Sequence, residues 1–258
     1  MTERQIAIDN LIYKIRVGSV MYGTNTPESD DDFGGVFIPT KDYILGTKKV
    51  EQVILSEKLS KTIRNQKGDN DYTVYALPKV IQLLIGNNPN ILEFLYAPAH
   101  CILYHSVFME EILQHRDLFL SKKAYHTFKG YAYAQRKKLE IKRDNMTGRT
   151  ELALKFGYDT KFASHLIRLL SEGLQILTEK TLTFPLPNNN LVRDIKLGKY
   201  DLTWILNKAE ELEKLVDLAY IKSDLQYTPN FEEINKLQIS LIETFWRKNV
   251  VHAYKQSL

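Results

Sequence analysis

Four residues near the start of the chain have the types and spacing to do chemistry. The apolar run Ile12 to Val17 ends at Gly18-Ser19, and eleven residues beyond Ser19 come Asp30 and, two further on, Asp32. A β-rich run, Gly35 to Ile38, follows. In an extended strand, side chains two apart share a face. Asp30 and Asp32 therefore present paired carboxylates while Asp31 points away. Two adjacent anions are costly unless a cation sits between them. Mg²⁺ suits such a place, because it takes oxygen ligands and keeps positions open for phosphate. A Gly-Ser turn has no side chain to keep the backbone from phosphate oxygens. Metal-binding carboxylates beside a phosphate cradle point to nucleotidyl transfer. Two plainer readings compete: a surface turn of three acids, and Ser19 as an ordinary helix N-cap. The second is compatible with phosphate binding, since a helix N-terminus is itself an anion site.

The surrounding pattern indicates how these residues are held. Ile12 to Val17 reads as a first strand, Ser19 to Gly23 as one helical turn, and Asp32 to Pro39 as a second strand. Val50 to Leu55 and Asp71 to Tyr75 are further strand candidates, and Ser56 to Asn70 between them is a polar, Lys-rich loop. Beyond residue 76 the periodicity becomes helical. Asn88-Pro89-Asn90 caps a short helix, Ile91 to Tyr96. Longer helices are expected from near Ser121, from Thr160, from Leu202 and from Phe231. Strands first and helices after argue for an α+β fold. A small mixed-sheet catalytic domain is placed at 1–100 and a helical substrate-binding domain at 101–258. On the helix from Thr160, Lys161, His165, Arg168 and Glu172 form one polar stripe opposite an apolar face, a pattern that a plain surface stripe also gives. Asp159 reads as that helix's cap. Arg193 and Lys196, ahead of Gly198, are further phosphate candidates.

The 258 residues are 44% hydrophobic and 26% charged, an ordinary globular mixture. No apolar stretch approaches the roughly 20 residues that cross a bilayer. The polar first ten residues do not read as a secretory signal. The lone Cys101 excludes an internal disulfide framework, reads as a small core residue, and fits a reducing cytoplasm. No Cys/His cluster has zinc spacing. Net charge is only +4, but Lys122 to Arg149 holds nine Lys or Arg residues interleaved with Tyr125, Phe128, Tyr131 and Tyr133. Such a surface suits a phosphate backbone; a solvated helix face with its aromatics in the core is the equal alternative.

Gly18, Ser19, Asp30 and Asp32 match the signature of the DNA polymerase β superfamily of nucleotidyltransferases. The chain further resembles its RNA-repair-associated branch in three ordered motifs. These are Gly18-Ser19 with Tyr22-Gly23 through Gly35-Val36, Gly86-Asn87-Asn88-Pro89-Asn90 through Leu95, and Gly157-Tyr158-Asp159-Thr160-Lys161 through Leu170. The resemblance spans residues 10 to 230.

It implies a polymerase-β-like sheet core with a helical module behind it. It implies two Mg²⁺ ions, or Mn²⁺ in their place, held by Asp30, Asp32 and a third carboxylate from a later strand. Asp71 is the expected third, with Asp69 as the alternative and an exposed turn acid as the plain reading. Gly18 and Ser19 would cradle the β- and γ-phosphates, and Lys161, His165 and Arg168 would face the cleft toward triphosphate or acceptor. Asn88 and Glu93 would shape the support of the sheet. The expected activity passes an NMP from an NTP such as ATP to a hydroxyl, with an RNA (a tRNA or a broken end) as the expected acceptor. Alternatives are transfer to a protein or small molecule, and a non-catalytic nucleic-acid-binding protein of the same fold. Base preference and oligomeric state are not encoded legibly.

Overall fold

The computed structural model describes residues 1–27, 29–56, 70–144 and 154–256, without the side chains of 140–144 and 249–256. Its sheet contains β1 (Leu11–Val17), β2 (Asp32–Phe37), β3 (Gln52–Ile54), β4 (Tyr72–Ala76) and β5 (Ile102–His105), in the order β3-β4-β2-β1-β5. β2 runs antiparallel to β1 and parallel to β4. The fold is mixed α+β, as the run of strands before helices predicts.

The pairing registers explain where the acids go. Val17, the last residue of β1, stands opposite Asp32, the first of β2. Phe33 pairs with Tyr72, and the Phe33 amide donates to the Asp71 carbonyl at 2.7 Å. The end of β1 and the starts of β2 and β4 therefore meet at one end of the sheet. Along β2 burial rises away from that end: Asp32 and Phe33 are half-buried, Gly34 to Phe37 buried. Val36 belongs to the large apolar cluster formed with the helices. Phe37 packs on the other face with Ile6, Ala7, Leu55, Val74 and Ala76, under the N-terminal helix Glu3–Asp9. By alternation, Asp32 and Gly34 share the face of Val36, toward the helices. Gly34 is required there, since a Cβ would stand 2.4 Å from Cζ of Phe94. The bare backbone lets the segment after Asn88 lie directly on the sheet.

The centre of the helical part is Thr160–Glu179. Asp159 caps it as predicted, its Oδ1 accepting from the amides of Lys161 at 3.0 Å and Phe162 at 3.4 Å. Helices Lys123–Asp144, Asn189–Lys196 and Leu202–Lys222 pack around it. Buried Cys101 behaves as a core residue.

Some elements differ from the sequence reading. The sequence pattern marks no strand near residue 103, yet Ile102–His105 pairs antiparallel with β1, so the sheet continues past residue 100. One apolar cluster includes both Ile12 and Phe245. Glu3–Asp9, Lys41–Ile44, Val107–Gln114 and Asn189–Lys196 are helices that the sequence reading does not mark. Most of the polar loop, 57–69, lies outside the described residues, and with it Asp69. No helix among the described residues is long and apolar enough to cross a membrane.

The Gly34–Phe94 contact sets a test. Gly34→Val is expected to cost about 1–3 kcal/mol by overpacking in urea unfolding. Gly130→Ala, where an added Cβ meets nothing within 4 Å on the Lys123–Asp144 helix, is expected to stabilise by about 0.5–1 kcal/mol.

Candidate active site

The sequence-singled residues converge on a cavity of about 550 Å³. Gly18, Ser19, Asp30, Asp32, Lys161, His165 and Arg168 all line it, together with Lys196, Tyr131 and Gln135. Gly18 makes the turn out of β1 with φ +71°, a conformation that favours glycine. It also caps the helix Ser19–Tyr22, so Ser19 is the first residue of that helix and not its cap. A Cβ on Gly18 would stand 3.2 Å from Oδ2 of Asp32. The carboxylate therefore rests against the bare turn. Asp30 is exposed just outside the strand. Asp31 points elsewhere, its Oδ1 3.2 Å from Nε of Arg16.

Asp32 is the electrostatic centre. Its pKa is raised, first by partial burial, then by Asp71, and less by Asp30 and Asp31; Lys161 acts in the opposite direction. Asp71 is exposed and belongs to no wall of the cavity, but it is near enough to repel Asp32. Lys196 has its pKa lowered, first by burial and then by Lys161, while Asp30 and Asp32 raise it. Its Nζ donates to Ser29 Oγ at 3.2 Å and to the Thr24 carbonyl at 3.3 Å. The turn that delivers Asp30 is closed on itself: the Thr26 amide donates to Ser29 Oγ, and the Ser29 amide to the Thr26 carbonyl, both at 2.9 Å. Carboxylates and lysines thus share one basin.

The donor set fits a hard cation. It is oxygen only, half desolvated at Asp32, and mutually repelling. Among the described residues, no three His, Cys, Asp or Glu side chains are gathered closely enough to hold a metal ion by themselves. Mg²⁺ is ordinarily held by one or two carboxylates completed by substrate phosphates, which this arrangement allows.

The model of RlaP, the RNA repair pathway DNA polymerase beta family, matches residues 2–244. The chain belongs to this family. Family membership makes it a nucleotidyltransferase-type protein. Among curated relatives, it is 32% identical over 94 residues to an uncharacterized 38.9 kDa protein of Enterobacteria phage T4, covering 36% of this chain and 27% of that one. It is 27% identical over 128 residues to an uncharacterized protein of Methanocaldococcus jannaschii, covering 50% and 49%. The alignments thus span about a quarter and half of those relatives' lengths. Among solved structures, a nucleotidyltransferase-like protein from Exiguobacterium sibiricum aligns at TM-score 0.30 and 11% identity, over 95% of this chain and 78% of that one. Spectinomycin adenyltransferase from Enterococcus faecialis, solved with ATP and spectinomycin, aligns at 0.36 and 14%, over 93% and 94%. Neither TM-score is high enough to carry a conclusion about this chain.

In this RlaP-family chain the polar stripe on Thr160–Glu179 departs from expectation along its length. Lys161 is exposed and His165 half-buried, but Arg168 and Glu172 are buried. Arg168 reaches the cavity wall with its Nη1 committed to carboxyls, while its buried Nε has no hydrogen-bond partner. It is ion-paired to Glu93 and, at 3.0 Å, to Glu172. Glu93 also accepts from the Tyr22 hydroxyl at 2.7 Å. Asn88 caps Pro89–Leu92 and donates to the Tyr131 hydroxyl at 2.8 Å. Within the basic 122–149 run, Lys129 is paired with Asp217 and Arg136 with Glu213. Residues 145–149 lie outside the described residues. Arg193 is exposed and bonds Asn190. Tyr131 and Gln135, four apart on one helix face, had the spacing that could have placed them at the site.

Two buried carboxylates share one guanidinium. Burial raises the pKa of Glu93, while Arg168 and the Tyr22 hydrogen bond act in the opposite direction. Glu172 is pushed up to about 8, chiefly by burial, with Arg168 acting in the opposite direction. A carboxyl raised in the folded state contributes stability that is full below about 4.5 and is lost as pH rises through about 8. Glu172→Gln should therefore gain stability relative to the wild type between pH 6 and pH 9 in thermal unfolding. Arg168→Met leaves two unpaired carboxyls and is expected to cost about 3–5 kcal/mol.

Proposed function

We propose that the protein is a metal-dependent nucleotidyltransferase that moves an NMP from an NTP to a hydroxyl, with RNA as acceptor. The observation that carries this reading is Asp32, half-buried against the Gly18 turn and crowded by Asp71 and Asp30, with Lys161 and Lys196 beside it. An unrelieved anion cluster facing two lysines suits a metal-bound triphosphate better than it suits a structural turn.

Asp30 and Asp32 would hold Mg²⁺, with Asp71 as the third carboxylate. When bound, the metal supplies charge neutralisation on the triphosphate and acidifies the attacking hydroxyl. The chain's own residues do the rest. The Gly18–Ser19 turn admits the phosphate tail to the backbone. Lys161 and Lys196 answer the negative charge that remains on it. Lys196, already partly desolvated, gives a stronger interaction there than a fully hydrated lysine. The family's printed description, RNA repair pathway, supports an RNA acceptor.

The test uses α-labelled NTPs with intact tRNA and with cleaved RNA ends. Asp32→Asn is expected to reduce transfer by more than about 100-fold. The same change should raise Tm by about 1–3 °C without metal, because it removes the crowded charge. Mg²⁺ with ATP should raise Tm for the wild type and not for the variant. Undiminished transfer by the variant would remove the metal assignment. Label attached to the protein itself, with no RNA present, would favour a protein acceptor.

A further inference from the structure

We propose that the buried Arg168–Glu93–Glu172 group is a positioning device that acts through Tyr22 on the Gly18–Ser19 turn, and does not bind substrate phosphate itself. This rests on the reading that the turn receives the triphosphate.

The connection is continuous. The Tyr22 hydroxyl donates to Glu93 Oε2 at 2.7 Å. The Arg168 guanidinium carbon, Cζ, lies over the Tyr22 ring, 4.2 Å from the centroid. Arg168 is fixed between Glu93 and Glu172 on the best-packed helix of the molecule. At the other end, the Tyr22 amide donates to the Gly18 carbonyl at 3.1 Å, and the Thr24 amide to the Ser19 carbonyl at 2.9 Å. The Leu186 amide holds the Tyr22 carbonyl at 3.3 Å. Tyr22 thus ends the helix that begins at Ser19. A helix of four residues has too few internal hydrogen bonds to stay formed alone. Contacts outside it must hold it: Met21 is anchored in the main apolar core, and Tyr22 carries the polar contacts that fix the end of the turn.

Charge decides between positioning and binding. A guanidinium that serves phosphate needs unanswered charge. Arg168 faces two carboxyls within the protein, so it has little attraction left for a third anion. Replacing a buried ion group by apolar residues is often neutral for stability. What an apolar substitute lacks is direction: a guanidinium over the ring plus a hydrogen bond at the tip of Tyr22 fixes both its tilt and its reach.

Tyr22→Phe tests this, since it keeps the ring on Arg168 and removes only the hydroxyl. Amide hydrogen exchange at Tyr22 and Thr24 should accelerate about 10-fold or more, with Tm within about 2 °C of the wild type. KM for MgATP should rise about 10-fold while kcat changes less than about 2-fold, because the turn grips the phosphates equally before and during transfer. Arg168→Lys, which loses the guanidinium over the ring, should shift KM in the same direction; if it fails to fold, Tyr22→Phe stands alone as the test. Unchanged exchange and unchanged KM in Tyr22→Phe overturn the proposal. Exchange needs no nucleotide, so the two readings separate. Faster exchange in a protein whose wild type transfers no nucleotide upholds the tether and defeats the nucleotidyl reading. Unaltered exchange beside an active wild type defeats the tether alone.

Discussion

The structure is organised around one unfavourable contact: a half-buried carboxylate, Asp32, held against a glycine turn with other carboxylates beside it. Nothing in the stability of the fold calls for this. The strand registers enforce it. Val17 opposite Asp32 brings the Gly18 turn to the acid from one side, and Phe33 opposite Tyr72 brings Asp71 from the other. Crowding that a fold imposes by hydrogen-bond register cannot relax by moving a side chain alone. It is relieved by protonation, by a cation, or by the nearby lysines. On the proposed reading, the cost carried by the empty protein is the affinity shown to a metal-bound triphosphate. Sites arranged this way are less stable than their neutralised variants.

The cavity is asymmetric in its charge logic. Lysines 161 and 196 stand with the acids, whereas Arg168, the strongest cation on its wall, is turned to internal carboxyls. On the proposed reading, a guanidinium left unpaired here would compete with the metal for Asp30 and Asp32. Its confinement by Glu93 and Glu172 keeps it from doing so, and turns it into a rigid surface for Tyr22. The family relationship accounts for the fold, and these local commitments say how this chain builds the wall of its site.

Much of this was legible in the sequence, for reasons that can be named. Asp31 does turn away from Asp32, to Arg16, but β2 starts only at Asp32, so strand alternation is not what separates it from Asp30. The Gly-Ser pair marks a turn that only glycine fits easily. Core positions of the long helices follow their periodicity, and Asp159 caps as its type suggests. What stayed hidden depends on distant partners. The spacing of Lys161, His165, Arg168 and Glu172 describes one helix face, but it cannot show that Glu93, far away in the chain, meets that face and buries half of it. β5 is short and largely exposed, so its residues carry no alternation, and only pairing with β1 makes them a strand. Glu3–Asp9 is too short to show a clear period, whereas Leu191, Val192 and Ile195 of Asn189–Lys196 carry a helical spacing that the sequence reading passes over.

The central claim is that Asp30 and Asp32 grip a divalent cation against a phosphate tail at the Gly18 turn. The most direct measurement is a crystal grown with Mn²⁺ and a non-hydrolysable ATP analogue, read by anomalous scattering. The account predicts manganese peaks in contact with both carboxylates, phosphate density along Gly18 and Ser19, and Arg168 still joined to Glu93 and Glu172. Manganese and nucleotide bound elsewhere, with Asp30 and Asp32 free of metal, would contradict it.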